Sequence, residues 1–312
     1  MNKRNCPVCN LAEAVVIMRF TPELLSGINP TYRLEEFKNA VKGKEEFLTY
    51  SKCSNCGMVY CENVWDDDTL RKVYVDTIDH AKSKDKTLLI KKRVSLTHTW
   101  ANILRTLKFL GKERLEDLKI IDYGCGWGDF LDTVQGYGVS VMGYDEDSEK
   151  IELAKERGHK IANDIDELKS FGPVDVVVMN SVLEHLQDVK YSLNLTKQLL
   201  KRGGLFVFHV MDYRPIYIKR NINRLRKNLP ALSKNFNPVE HVNIYDYKSV
   251  MATVKNYNFD FISTDCVLYL TDFYGIRNSM GLVRFFNWIE WLSTKIITWP
   301  GLGITAYVVN KE

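Results

Sequence analysis

The segment Ile120-Ile121-Asp122-Tyr123-Gly124-Cys125-Gly126-Trp127-Gly128 limits the folds open to this chain more than any other stretch of its 312 residues. Apolar residues lead into an acidic one, as at the end of a buried strand, and glycine then stands at every second position. Glycines so spaced let a backbone turn sharply and approach a ligand with no Cβ in the way, which marks a nucleotide-cofactor site. The spacing bears on which cofactor. A dinucleotide fingerprint needs its third glycine three places after the second, where this chain has Asp129; the third glycine is Gly128. That favours S-adenosylmethionine over NAD. A carboxylate about twenty residues beyond the loop, Asp145, closes the next apolar run and suits both ribose hydroxyls, a device that NAD enzymes share.

Apolar runs at 119–123, 139–144, 159–162, 174–180, 205–210, 260–268 and 303–310 alternate with helical stretches. That order predicts an α/β doubly wound, Rossmann-like sheet of seven strands. Ligands of such sheets sit at the carboxyl ends of the strands, so Asp122, Asp145, Asn180 and His209 should converge on one rim.

Four further segments accompany the glycine loop: Asp164-Ile165, the strand Val174 to Asn180, Ser181-Val182-Leu183-Glu184-His185-Leu186, and Leu199-Leu200-Lys201-Arg202-Gly203-Gly204. With them the chain resembles the class I S-adenosylmethionine-dependent methyltransferases. The resemblance implies that Gly124, Gly126 and Gly128 hold the methionine part of the cofactor, with Asp122 at the rim beside them. It implies Asp145 for the ribose, Asp164 and Ile165 for the adenine, and Asn180 and Val182 for the floor. His185, next to the cofactor strand, takes a structural or cofactor-shell role, and the last strand runs antiparallel.

Four of the seven cysteines form Cys6-Pro7-Val8-Cys9 and Cys53-Ser54-Asn55-Cys56. Two such knuckles complete a closed tetrahedral site, so the expectation is a zinc ribbon with a structural metal; a redox pair or buried free thiols are the alternatives. The interval 10–52 is longer than in the commonest ribbons and reads as an inserted excursion. Cys61, Cys125 and Cys266 read as packing residues. The expected division is a zinc-ribbon module at 1–62, connecting helices at 63–117 and a methyltransferase domain at 118–312. Asp66-Asp67-Asp68-Thr69 offers a helix start, and 88–110 carries apolar residues at helical intervals. Tyr74 and His80 are surface residues or cover the cofactor.

A hydrophobic content of 45% suits one sizeable core plus a small module. No export signal or membrane span is visible, so the expected location is cytoplasmic. A net charge of +4 is compatible with an anionic acceptor and argues little for nucleic acid.

Methyl transfer to a hydroxyl or carbon acid requires removal of a proton, and Phe236-Asn237-Pro238-Val239-Glu240-His241-Val242-Asn243-Ile244-Tyr245 joins a carboxylate, an imidazole and a phenol. A Cys₄ module ahead of the core, with Glu240-His241 after the fifth strand, resembles the deoxysugar C-methyltransferases, in which the Glu and His are the catalytic pair. Pro238-Val239 replaces that group's aromatic-His lead-in, and the chain ends without its further carboxy-terminal domain. O-methylation of a sugar, nucleotide sugar, glycan or other small hydroxyl compound is therefore favoured over C-methylation. An RNA methyltransferase docking its substrate through the ribbon, and a non-catalytic cofactor-binding module, are the alternatives. Lys219 to Lys227 carries five cations and no acid, as a diphosphate clamp or a solvated helix face. The aromatic segment 282–299 walls the substrate pocket, forms a dimer contact or makes a peripheral membrane contact. The acceptor and the oligomeric state stay open.

Overall fold

The computed structural model describes residues 2–28, 34–42, 47–73, 86–111, 114–213, 215–227, 229, 231, 235–264 and 303–311. The strands are β1 (Asn2–Lys3), β2 (Ala14–Phe20), β3 (Leu48–Cys53), β4 (Val59–Val64), β5 (Lys119–Tyr123), β6 (Ser140–Tyr144), β7 (Val174–Asn180), β8 (Leu200–Met211), β9 (Asn243–Ile244), β10 (Phe259–Thr264) and β11 (Gly303–Asn310). Two compact units arise, each from separated segments. One comprises Met1–Asp85, Leu183–Lys190 and Met211–Thr253; the other comprises Lys86–Val182, Tyr191–Val210 and Val254–Glu312.

In the first unit an antiparallel sheet runs β1-β4-β3-β2, with β9 also pairing β4 through Val59 with Ile244 and Tyr60 with Asn243. The interval between the two cysteine pairs holds β2 and the short helices Pro22–Ile28 and Leu34–Ala40, the excursion that its length implies. Arg4 explains how distant segments join. Its guanidinium donates to the carbonyls of Gln187 (2.8 Å), Cys61 (3.2 Å) and Leu186 (3.3 Å), and to Asn243 Oδ1 (3.0 Å). Burial lowers the Arg4 pKa, yet a guanidinium stays charged, so its fixed fork of donors must be met by acceptors, and it is. Asn243 Nδ2 completes the joint by donating to the carbonyls of Leu183 (2.8 Å) and Leu186 (2.7 Å). Beneath lies a core in which Tyr50 meets Phe20 edge-on at 5.1 Å and Phe236 at 5.2 Å.

The second unit carries the sheet β10-β11-β8-β7-β5-β6, in which β8, β7, β5 and β6 pair in parallel and β10 pairs β11 antiparallel. Among the described residues it has six strands, which corrects the expected seven. The segment 159–162 makes one parallel bridge, Gly143 with Ile161, held by Gly143 N–H to the Lys160 carbonyl and Ala162 N–H to the Gly143 carbonyl, both 2.9 Å. Asp164 caps a helix two residues later, so the chain has no length left to extend the ladder. Both faces of the parallel strands are buried, as crossover helices require. On one face Ile120, Val176, Val178, Leu205 and Val207 pack with Trp100, Ile103 and Leu107 of the helix Lys86–Phe109. Among the described residues no helix is long and apolar enough to cross a membrane.

Candidate active site and metal centre

The loop after β5 has the conformation that its glycines allow. Gly124, Gly126 and Gly128 have φ of 79°, 54° and 80°, a left-handed region that other residues reach only under strain. Their surroundings differ. A Cβ on Gly124 would lie 2.4 Å from Val182 Cγ2, and one on Gly128 2.7 Å from the His159 ring, whereas nothing lies within 4 Å of one on Gly126. Gly124 and Gly128 are thus glycines because protein packs against them; Gly126 alone faces open space, where a ligand has room to approach. The loop N–H groups of Gly124 and Cys125 bond the Tyr144 carbonyl at the end of β6 (2.7 and 3.0 Å), and Gly128 precedes the helix Asp129–Val134.

Asp145 does more than wait for a ribose. Its Oδ2 accepts the Gly126 N–H (2.8 Å) and its Oδ1 the Asp147 N–H (3.0 Å), so the carboxylate is aimed by the loop it serves while each oxygen keeps a lone pair for a hydroxyl. Asp122 is buried at the end of β5, and Asn180 ends β7 opposite His209 of β8. Val182 lies on Gly124, as a floor residue would. Asp164 is the N-cap of the helix beginning at Ile165 and accepts the Glu167 N–H at 2.8 Å.

Two features near this loop carry no sequence signal. Arg157 donates to the Trp127 carbonyl and to Asp132, and reaches Asp129 at 3.4 Å; His159 Nε2 meets Asp132 Oδ1 at 2.7 Å. This network grips the carboxyl half of the glycine loop, because His159 is the group packed on Gly128. The second is Ser181, a non-glycine residue at φ 56° just past β7, tied by its N–H to the His209 carbonyl at 2.9 Å. Such strain persists only where neighbours hold it, and it clusters at ligand sites.

The methyltransferase domain family matches residues 96–264, more than half of the chain. The chain belongs to that family. It carries an S-adenosylmethionine-dependent methyltransferase domain and with it an enzyme. Similar curated proteins include the ubiquinone biosynthesis O-methyltransferase of Pelagibacter ubique, 30% identical over 119 residues that cover 36% of this chain and 50% of that one. The protein of the same name from Colwellia psychrerythraea is 32% identical over 110 residues, 32% of this chain and 45% of that one. This chain therefore spans about half the length of the curated relatives it matches. A solved S-adenosylmethionine-dependent methyltransferase from Archaeoglobus fulgidus aligns over 72% of this chain and all of its own, at 17% identity and a TM-score of 0.41.

The remaining candidates of this methyltransferase lie in its other unit. Asn237 begins a tight turn in which its Oδ1 accepts the Val239 N–H (3.0 Å) and its carbonyl the His241 N–H (2.8 Å), as Asn-Pro sequences favour. His185 and His241 come together, ring centroids 4.6 Å apart and edge to face, with His185 Nδ1 bonded to the Glu240 carbonyl at 2.7 Å. Tyr50 fixes the turn by donating to the His241 carbonyl at 2.7 Å. The His241 side chain is buried, and its Nδ1 has no hydrogen-bond partner among the described residues. Burial first, and the neighbouring His185 second, push its pKa well below the usual value, so it is neutral at pH 7. The structure thus brings His185 against His241.

The sulfurs of Cys6, Cys9, Cys53 and Cys56 all lie within 4.8 Å of one another, with Cys6 3.4 Å from Cys56 and Cys9 3.5 Å from Cys53. A tetrahedral site with zinc–sulfur bonds of about 2.3 Å spaces its sulfurs about 3.8 Å apart, so the donor set fits that metal. The hydrogen bond from Cys6 holds the Cys56 thiol down to about 5, while Cys6 itself is driven up. Cys61 is separate. Burial pushes its thiol up to about 12, and its Sγ donates to the Asn63 carbonyl at 2.9 Å, as befits a packing residue. Cys125 is likewise buried, its thiol raised by desolvation. Cys266, Tyr74, His80 and the segment 282–299 lie outside the described residues.

Proposed function

We propose that this methyltransferase methylates the hydroxyl oxygen of a small acceptor, a sugar, nucleotide sugar or other small hydroxyl compound, and that the Cys₄ cluster holds a structural zinc. The observation that carries the first part is the buried, neutral His241 with an open Nδ1, joined to Glu240 in one turn. The O-methyltransferase names of the relatives support oxygen over carbon as the accepting atom.

The cofactor supplies an activated methyl group on a sulfonium. Held at the glycine loop and Asp145, the cofactor would deliver that methyl group to the acceptor oxygen, and the hydroxyl proton must go elsewhere. A neutral imidazole accepts that proton, and because burial beside His185 disfavours its charged form, the proton must pass on readily after transfer. Glu240 and His185 orient the ring pair, and Tyr50 anchors the turn. In the other unit the glycine loop holds its shape through Asp145, Arg157 and His159, and Gly126 leaves room for the cofactor. The cysteines bind a metal as thiolates, so metal uptake releases protons and falls with acidity.

The test is methyl incorporation from labelled S-adenosylmethionine into nucleotide sugars, polysaccharide fragments, lipid-linked glycans, small phenols and total RNA. Label in a hydroxyl compound is expected, with His241→Gln lowering turnover about a hundredfold at unchanged affinity for S-adenosylhomocysteine. Label in RNA alone overturns the acceptor class, and undiminished turnover in His241→Gln moves the base elsewhere.

A further inference from the structure

The ribbon-bearing unit contains a groove of about 380 Å³ between β2, β4, β9 and the helix Pro215–Leu225, within the range of small-ligand sites. Its floor is apolar: Val16, Ile17, Val59, Ile218, Ile222 and Ile244. Its rim is cationic, with Lys52, Lys219 and Arg226, and Lys248 Nζ lies beside Gly57, also in the lining. The helix sequence dictates this arrangement. Ile218, Ile222 and Leu225 recur at helical intervals and pack toward the core, which turns Lys219, Asn223 and Arg226 into an adjacent stripe along the groove. Arg226 is held in place by donating to the Ile17 carbonyl at 3.2 Å. No carboxylate pairs with Lys52, Lys219 or Arg226 among the described residues. The one acid in the lining, Asp246, is occupied in capping the next helix by accepting the Ser249 N–H at 2.8 Å.

Neither half of this surface suits the other's ordinary ligand. A purely polar anion leaves the apolar floor wet, and a purely apolar ligand leaves the cations unanswered. We propose that the groove binds a soluble single-chain amphiphile whose head is a phosphate monoester and whose tail is apolar. Phosphate rather than carboxylate follows from the number of cations and from the guanidinium fork, which matches phosphate geometry. The apolar residues line a concavity and not a flat face, which favours a soluble ligand over a bilayer. The site is independent of the acceptor reading above and of the cofactor loop.

Calorimetric titration of the full chain with decyl phosphate, below its micelle concentration, tests this. Saturable binding at one per chain is expected, at least a hundredfold tighter than inorganic phosphate and uncompeted by the neutral decyl maltoside. Lys219→Glu with Arg226→Glu, one exposed on the helix and one in the turn that follows it, should weaken it tenfold or more while the chain still melts cooperatively; Val16→Asp should do the same through the floor. If Val16→Asp does not fold, Lys52→Glu takes its place. Equal affinity of the charge-reversed protein, equal binding of inorganic phosphate, or no binding at all overturns the proposal. So does binding only to phosphatidic acid vesicles, or a dimer by light scattering that the charge reversal abolishes, since those make a membrane or a second copy the occupant.

Discussion

At the residue scale, the three loop glycines look equivalent in the sequence and are not equivalent in the structure. All three have positive φ, so alanine at any of them brings strain of order 1 kcal/mol. The rest depends on what each faces. Gly124→Ala drives a methyl group into Val182 and should cost a further 1–3 kcal/mol of stability by overpacking. Adding Val182→Ala should recover much of that loss, which urea denaturation of the single and double variants will read. Gly126→Ala meets no protein atom, so it should leave the urea midpoint within the strain cost while weakening S-adenosylhomocysteine binding tenfold or more. If Gly126→Ala binds as tightly as the parent, the open space beside it is not where the cofactor approaches. The loop itself was legible because glycine spacing is a local signal. The grip of Arg157 and His159 on it was not, because their partner Asp132 lies 25 and 27 residues away in sequence and nothing in the residue types announces the meeting.

At the scale of elements, the strands were legible where apolar runs are long, as in β5, β7 and β11, and illegible where length decides whether a run pairs. Residues 159–162 read as a short strand but form a single bridge because the Asp164 cap follows at once. The two-residue β9 is the opposite case. Too short to show as a pattern, it still ties Met211–Thr253 to the sheet β1-β4-β3-β2 through Asn243, a residue that reads as part of a catalytic stretch. Asn243 is fully buried, receives Arg4 and gives both amide hydrogens to the carbonyls of Leu183 and Leu186. Asn243→Ala strands the buried Leu183 carbonyl, leaves the Leu186 carbonyl with Arg4 as its remaining donor, and removes one acceptor of a buried guanidinium. Since each unsatisfied group costs about 1–3 kcal/mol, the variant should lose about 3 kcal/mol or more, measured by urea denaturation. A loss under about 0.5 kcal/mol would mean that water replaces the side chain and that the joint does not depend on it.

At the scale of the whole molecule, the chain combines two units with different sources of stability. The methyltransferase unit rests on a six-stranded sheet whose central strands β5 and β7 are buried on both faces. The other has short strands, short helices and an aromatic cluster, and it gathers four sulfurs. If those sulfurs hold zinc, the free energy of metal binding is part of the folding free energy of that unit alone. Metal analysis should then find about one zinc per chain, and calorimetry should show two melting events. Chelation, or Cys53→Ser, should shift the first downward and leave the second in place, whereas S-adenosylhomocysteine should raise the second. The second event answers to the cofactor because ligands stabilise only the unit that binds them, by an amount set by concentration over dissociation constant. Chelator-insensitive melting of a protein free of zinc would leave the cysteine pairs as buried thiols, and the Cys6–Cys56 hydrogen bond would then be the resting state of the cluster and not its metal-free form.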